Sequence, residues 1–218
     1  MTKPRVCAVI TGRQPQALQE IESLVDLFEV RIDLIGEGWR DIAATLRKPW
    51  IACNRLPREG GRWAGSEAKR LDELADALKL GAKIIDLELS TPDLKEACKP
   101  FKKATLLLSY HDLSGTPPLE DLRGIVGRQL DAGAGICKVV TTARDVQDNL
   151  TAVSLITSFP KARIVAFAMG PLGMTSRILC PLAGGYFTYA ATGRGSESAP
   201  GQVTAAELRR LYVLLGHD

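Results

Sequence analysis

Short β-branched, mostly apolar runs recur along the chain: VCAVIT at 6–11, FEVRIDL at 28–34, WIACN at 50–54, KIIDLEL at 83–89, ATLLLSY at 104–110, ICKVVTT at 136–142, RIVAFAM at 163–169 and YFTYAA at 186–191. Several are apolar without interruption, as suits parallel strands covered on both faces. Between them, apolar residues return at helical spacing. Residues 17–27 place Leu18, Ile21, Leu24 and Val25 on one face, and residues 66–81 gather Leu71, Leu74 and Leu78 before Gly81 ends the segment. Residues 118–133, 145–159 and 203–216 repeat the pattern, which is weaker around 38–47, short at 91–99 and poor at 173–182. Strand and helix thus alternate about eight times in 218 residues, about 27 residues per unit and close to the minimum for a strand–helix–strand crossover. Eight units predict a closed (β/α)8 TIM barrel, a single compact α/β domain over 1–218, because an open doubly wound sheet usually has fewer strands. In such barrels chemistry sits at the C-terminal ends of the strands.

Composition narrows the partners. A formal net charge of +3 gives no reason to expect nucleic acid, and no stretch approaches the roughly 18 uninterrupted apolar residues of a membrane-spanning helix. The N-terminal apolar run is too short for a secretory signal, so a cytoplasmic location is expected. The cysteines, Cys7, Cys53, Cys98, Cys137 and Cys180, are odd in number and form no CxxC pair, which predicts reduced thiols. With two histidines, one next to last, a metal site has few ligands to draw on, and none is expected.

Certain polar residues then need a reason. Lys138 sits mid-strand in ICKVVTT, where it faces either the barrel interior or the helix layer, both dry. Burial disfavours the ammonium and lowers its pKa toward neutrality, and a neutral amine is a nucleophile toward carbonyls. The alternatives are a lysine paired with a buried carboxylate or one reaching out of the barrel mouth. His111, at the end of the fifth strand and next to the strand of Lys138, has the chemistry of a general acid and base; the alternative is a loop histidine bonded to backbone. In FEVRIDL the alternation puts Glu29, Arg31 and Asp33 on one face, predicting an inward ion-pair network that holds a polar substrate or fills the barrel. Arg55 and Glu59 flank a turn made pliable by Gly60 and Gly61 after the third strand. Arg177 follows the seventh strand, where it could take a carboxylate in bidentate fashion. Ser198 and Gln202 follow the eighth, either at the site or as the entry to the last helix.

Six motifs in order, EVRID at 29–33, R-x-x-x-EGG at 55–61, SYHD at 109–112, Lys138 in its apolar strand, MGPLGMTSR at 169–177 and SAPGQ at 198–202, make the chain similar to the type I 3-dehydroquinate dehydratases of the shikimate pathway. The resemblance implies a barrel that is often a homodimer, uses no cofactor or metal, and takes the small molecule 3-dehydroquinate as substrate. It implies that Lys138 forms an imine with the substrate ketone, that His111 moves the protons, and that Glu59 supports His111. It also implies substrate contacts from Glu29, Arg31, Arg55, Arg177, Ser198 and Gln202, with Arg177 at the carboxylate. The segment GGYFTYAATG at 184–193 departs from the small-residue run expected there, and VCAVIT lacks the serine that relatives often supply. An imine-forming aldolase would also account for Lys138 but not for the carboxylate-binding set.

Overall fold

The computed structural model describes residues 3–217. Its strands are β1 (Val6–Ile10), β2 (Leu27–Arg31), β3 (Trp50–Cys53), β4 (Ile84–Glu88), β5 (Thr105–His111), β6 (Ile136–Thr142), β7 (Ile164–Met169) and β8 (Thr188–Ala191). The helices are α1 (Pro15–Ile21), a single turn α2 (Ile32–Ile35), α3 (Trp39–Thr45), α4 (Glu67–Lys79), a short α5 (Leu94–Ala97), α6 (Leu119–Asp131), α7 (Gln147–Ser158), α8 (Met174–Leu182) and α9 (Ala205–Leu214). All strands run parallel, ordered β8, β1, β2 and so on to β7, as a TIM barrel requires. The ring is nearly closed. β7 and β8 do not pair as strands; backbone hydrogen bonds from Tyr186 to Ile164 (2.7 Å) and from Gly170 to Pro200 (3.1 Å) cross the seam.

Apolar burial follows the two faces of each strand. Outward side chains such as Phe28, Ala52, Ile85 and Leu108 pack under the helices. Inward ones, including Cys7, Leu27, Ile51, Leu107 and Ile136, fill the barrel interior. The interior turns polar toward the strand ends, where Glu29, Arg31, Asp86, Glu88 and Lys138 are all buried. All five cysteines are free, and all but Cys98 are buried.

Two segments differ from expectation. The second strand stops at Arg31 rather than continuing through residue 34, because Arg31 pairs with Cys53, the last residue of β3, and beyond it no neighbouring backbone remains to pair with. Residues 32–35 turn helical instead, yet Asp33 still binds Arg31 (2.7 and 2.9 Å). The segment at 173–182, poor in sequence, is a nine-residue helix with Pro181 in its last turn. Proline has no N–H to give to Arg177, four residues back. The Thr188 hydroxyl of β8 donates to that carbonyl instead, at 2.7 Å, and so ties the backbone of Arg177 to the barrel wall.

Candidate active site

β6 carries Lys138 into the barrel, level with Ser109 of β5 and Val165 of β7. Its Nζ lies 3.1 Å from Asp86 Oδ2 and 3.5 Å from Glu29 Oε2, and 4.3 Å from the centre of the Tyr189 ring. Burial alone pulls the amine's pKa down, but Asp86 and Glu29 outweigh it and hold the group above its ordinary value. The expected neutral amine is therefore corrected: in the free protein Lys138 is an ammonium. The deciding neighbour is Asp86, whose strand KIIDLEL alternates charge as FEVRIDL does. Burial pushes Asp86 up, but Arg55, Lys138 and the Ser109 hydroxyl outweigh that and bring it to about 2.

The loop after β3 supplies the next layer. Arg55 donates to Asp86 Oδ2 (2.5 Å), Ser109 Oγ (2.6 Å) and Cys53 Sγ (3.3 Å). The loop is itself anchored by Glu88, which accepts from the Leu56 N–H and from the fully buried Arg70. Gly61 is needed for this turn, since a Cβ there would fall 2.0 Å from the carbonyl oxygen of Arg55. The turn carries Glu59 under His111: His111 Nδ1 and Glu59 Oε2 are 3.0 Å apart, and the Ser90 hydroxyl donates to Glu59 Oε1 at 2.6 Å. Burial raises the Glu59 carboxyl against the pull of Arg55. Burial, followed by the positive charges of Arg55, Lys138, Arg31 and Arg177, holds His111 well below 6.5. The imidazole is neutral, and a proton on Nδ1 directed at Glu59 leaves Nε2 free to accept one.

Glu29, Cys53 and Asp86 also have the spacing of a metal-ligand set. The protein's own cations already serve these three: Lys138 lies against Glu29 and Asp86, and Arg55 against Cys53 and Asp86.

Across the cavity the chemistry changes. Arg177 is 1% exposed, with its guanidinium 4.3 Å above the Phe167 ring, and among the described residues neither Nε nor Nη2 has a hydrogen-bond partner. Burial lowers its pKa to about 10. Ser198 and Gln202 bind one another, Gln202 Oε1 accepting from the Ser198 N–H (2.8 Å) and hydroxyl (3.1 Å). They are not the helix entry: Thr204 caps α9, with its hydroxyl accepting from the Glu207 N–H and Glu207 Oε2 from the Thr204 N–H. Their loop closes onto the seventh strand at Gly201, where a Cβ would meet the Gly170 carbonyl oxygen at 2.2 Å. A cavity of about 290 Å³ at the strand ends is lined by all nine of the site residues expected from sequence.

The model of the type I 3-dehydroquinase family matches residues 6–218. The chain belongs to that family. Among the relatives of this type I 3-dehydroquinase is the 3-dehydroquinate dehydratase of Dehalococcoides mccartyi, 45% identical over 221 residues, covering 100% of this chain and 99% of the other. In solved structures, the type I 3-dehydroquinate dehydratase of Clostridium difficile, with covalently modified comenic acid, superposes with a TM-score of 0.86 at 22% identity, over 99% of this chain and 93% of that one. The 3-dehydroquinate dehydratase of Geobacillus kaustophilus gives 0.85 at 25% identity, over 99% and 92%. Family membership makes the chain a hydro-lyase of the shikimate pathway. Among the described residues, no helix is long and apolar enough to cross a membrane. In this type I 3-dehydroquinase, sequence reasoning passed over Asp86, Ser109 and Tyr189. The first stood in plain view as an inward acid of β4; the other two are ordinary strand residues until the barrel brings them to Lys138.

Proposed function

We propose that the protein converts 3-dehydroquinate to 3-dehydroshikimate through an imine on Lys138, with His111 as general acid and base. One observation carries the reading: the buried Lys138, the His111 imidazole held on Glu59, and a buried Arg177 with donors unpaired among the described residues share a cavity of about 290 Å³. The substrate's carboxylate goes to Arg177, which has two donors to offer it. Its hydroxyls meet Glu29, Arg31, Arg55 and the Ser198–Gln202 pair.

The charge on Lys138 requires a proton transfer first. Against the order of the free protein, in which Lys138 holds its proton more tightly than His111, the ammonium passes a proton transiently to Nε2 of His111, and the freed amine attacks the C3 ketone. The imidazolium returns that proton to the departing oxygen, leaving water and a protonated imine. This iminium is an electron sink, so the C2 proton becomes acidic and passes to His111. The resulting enamine expels the C1 hydroxyl, which leaves as water with the proton from His111. Water then hydrolyses the imine, releasing product and restoring the ammonium. Two waters leave and one enters, for a net loss of one. Glu59 fixes the tautomer of His111 throughout. The expected homodimer and cytoplasmic location accompany this reading.

Borohydride added during turnover should leave a covalent adduct on the protein, detectable by its mass. In Lys138→Ala both the adduct and turnover should vanish. An adduct on any other residue refutes the assignment of the nucleophile.

A further inference from the structure

We propose that Tyr189 is a catalytic group of this site: its ring face holds the cationic nitrogen of Lys138, first as the ammonium and then as the iminium. The proposal rests on the imine reading above.

The Lys138 nitrogen lies 4.3 Å from the Tyr189 ring centre, inside the roughly 6 Å within which a cation is drawn to the negative face of an aromatic ring. The ring is held in place. Phe167 meets it at 6.0 Å and Phe187 at 5.2 Å, both edge-on, and its backbone pairs with Cys7 of β1. It is 3% exposed, so water does not screen the contact.

The ring does what the carboxylates cannot. Asp86 and Glu29 hold the resting ammonium by accepting its N–H bonds, of which it has three. Once the nitrogen is doubly bonded to the substrate carbon, one N–H remains. At least one of the two carboxylates then loses its bond at the moment when the positive charge matters most. Attraction to a π face depends on the charge and not on N–H count, and it persists. The face also carries no basic lone pair, so it supports the cation without competing for its proton. The resting ammonium is already neutralised by Asp86 and Glu29, so the ring's support counts most for the iminium, and Tyr189 favours it over the neutral carbinolamine that precedes it. Burial, followed by the negative charge of Glu29, keeps its hydroxyl protonated, so it adds no competing anion beside the nitrogen.

The test measures how fast the trapped adduct forms, by quenching with borohydride at successive times and weighing the protein. Tyr189→Leu should slow adduct formation by about 30-fold, the range of a desolvated cation–π contact. Tyr189→Phe should recover most of the loss. Mono-, di- and trifluorinated phenylalanine placed at 189 then withdraw charge from the face while nearly preserving its shape. The logarithm of the rate should fall stepwise with each fluorine, a trend that a packing role does not produce. A flat series, or a phenylalanine variant no better than the leucine one, overturns the role of Tyr189 while the wild-type adduct on Lys138 keeps the imine reading intact. Absence of that wild-type adduct overturns both.

Discussion

The two walls of the cavity treat their charges in opposite ways. On the β2–β4 wall every charged group has a partner within the protein: Arg31 with Asp33, Arg55 with Asp86, Arg70 with Glu88, Glu59 with His111. On the β7–α8–β8 wall Arg177 has no partner carboxylate among the described residues. A protein folding for stability alone would pair or discard a buried guanidinium. The first wall is therefore held in register by its own ion pairs; the second keeps a buried cation without a carboxylate among the described residues.

Substitutions should separate the walls. The largest effect is expected from Arg55→Met, which leaves Asp86 facing Lys138 alone and strips a counter-charge from Glu88 and Glu59. Breaking such a buried network should cost about 3–5 kcal/mol, read as a large drop in thermal or urea stability. Arg177→Met should do the reverse to stability. An unpaired charge whose pKa is pushed down to about 10 is a burden on the fold of order a few kcal/mol, so its removal should raise the melting temperature. The same change should lower kcat/KM by about 100-fold or more, mainly through KM, and Arg177→Lys should not restore it. Loss of stability in Arg177→Met would erase the contrast.

The pH profile probes the group between the walls. His111 must be neutral to accept a proton, and burial with the surrounding cations holds its folded pKa below 6.5. The neutral form thus persists to lower pH than in a free histidine, and the acid limb of kcat/KM should fall below pH 6.5. A limb above that value would mean that Glu59 dominates the imidazole. Ser198→Ala should have the smallest effect, a few-fold in KM, since it removes one partly exposed hydrogen bond.

Much of this was legible in the chain. The alternation of apolar strands with helical spacing identified eight strands and the barrel, because strands covered on both faces leave a plain apolar trace. α8 was obscured by Gly173 and Pro181, which read as breakers; the compensating hydroxyl of Thr188 lies on another strand. The T-x-x-E at 204–207 marks the cap of α9 directly before the helix, which relieves the more distant Ser198 of that duty. The residues expected at the site do line one cavity. The charge on Lys138 was not legible, because it depends on which side chains of β2 and β4 converge on one point inside the ring. Burial can be inferred from a strand's own residues; the neighbour across the barrel cannot.

The clamp of Asp86 and Glu29 on Lys138 has a bearing on life among other metabolites. Cells abound in aldehydes and ketones, any of which could foul an exposed free amine. An ammonium has no electron pair to offer them. Uninvited carbonyl compounds small enough to slip past the barrel mouth find the nitrogen disarmed. On the imine reading, a guest whose carboxylate met Arg177 would dwell long enough for the imidazole to relieve the lysine of its proton. On that reading the ion pair of Lys138 with Asp86 and Glu29 is a safety catch, set before any bond is made.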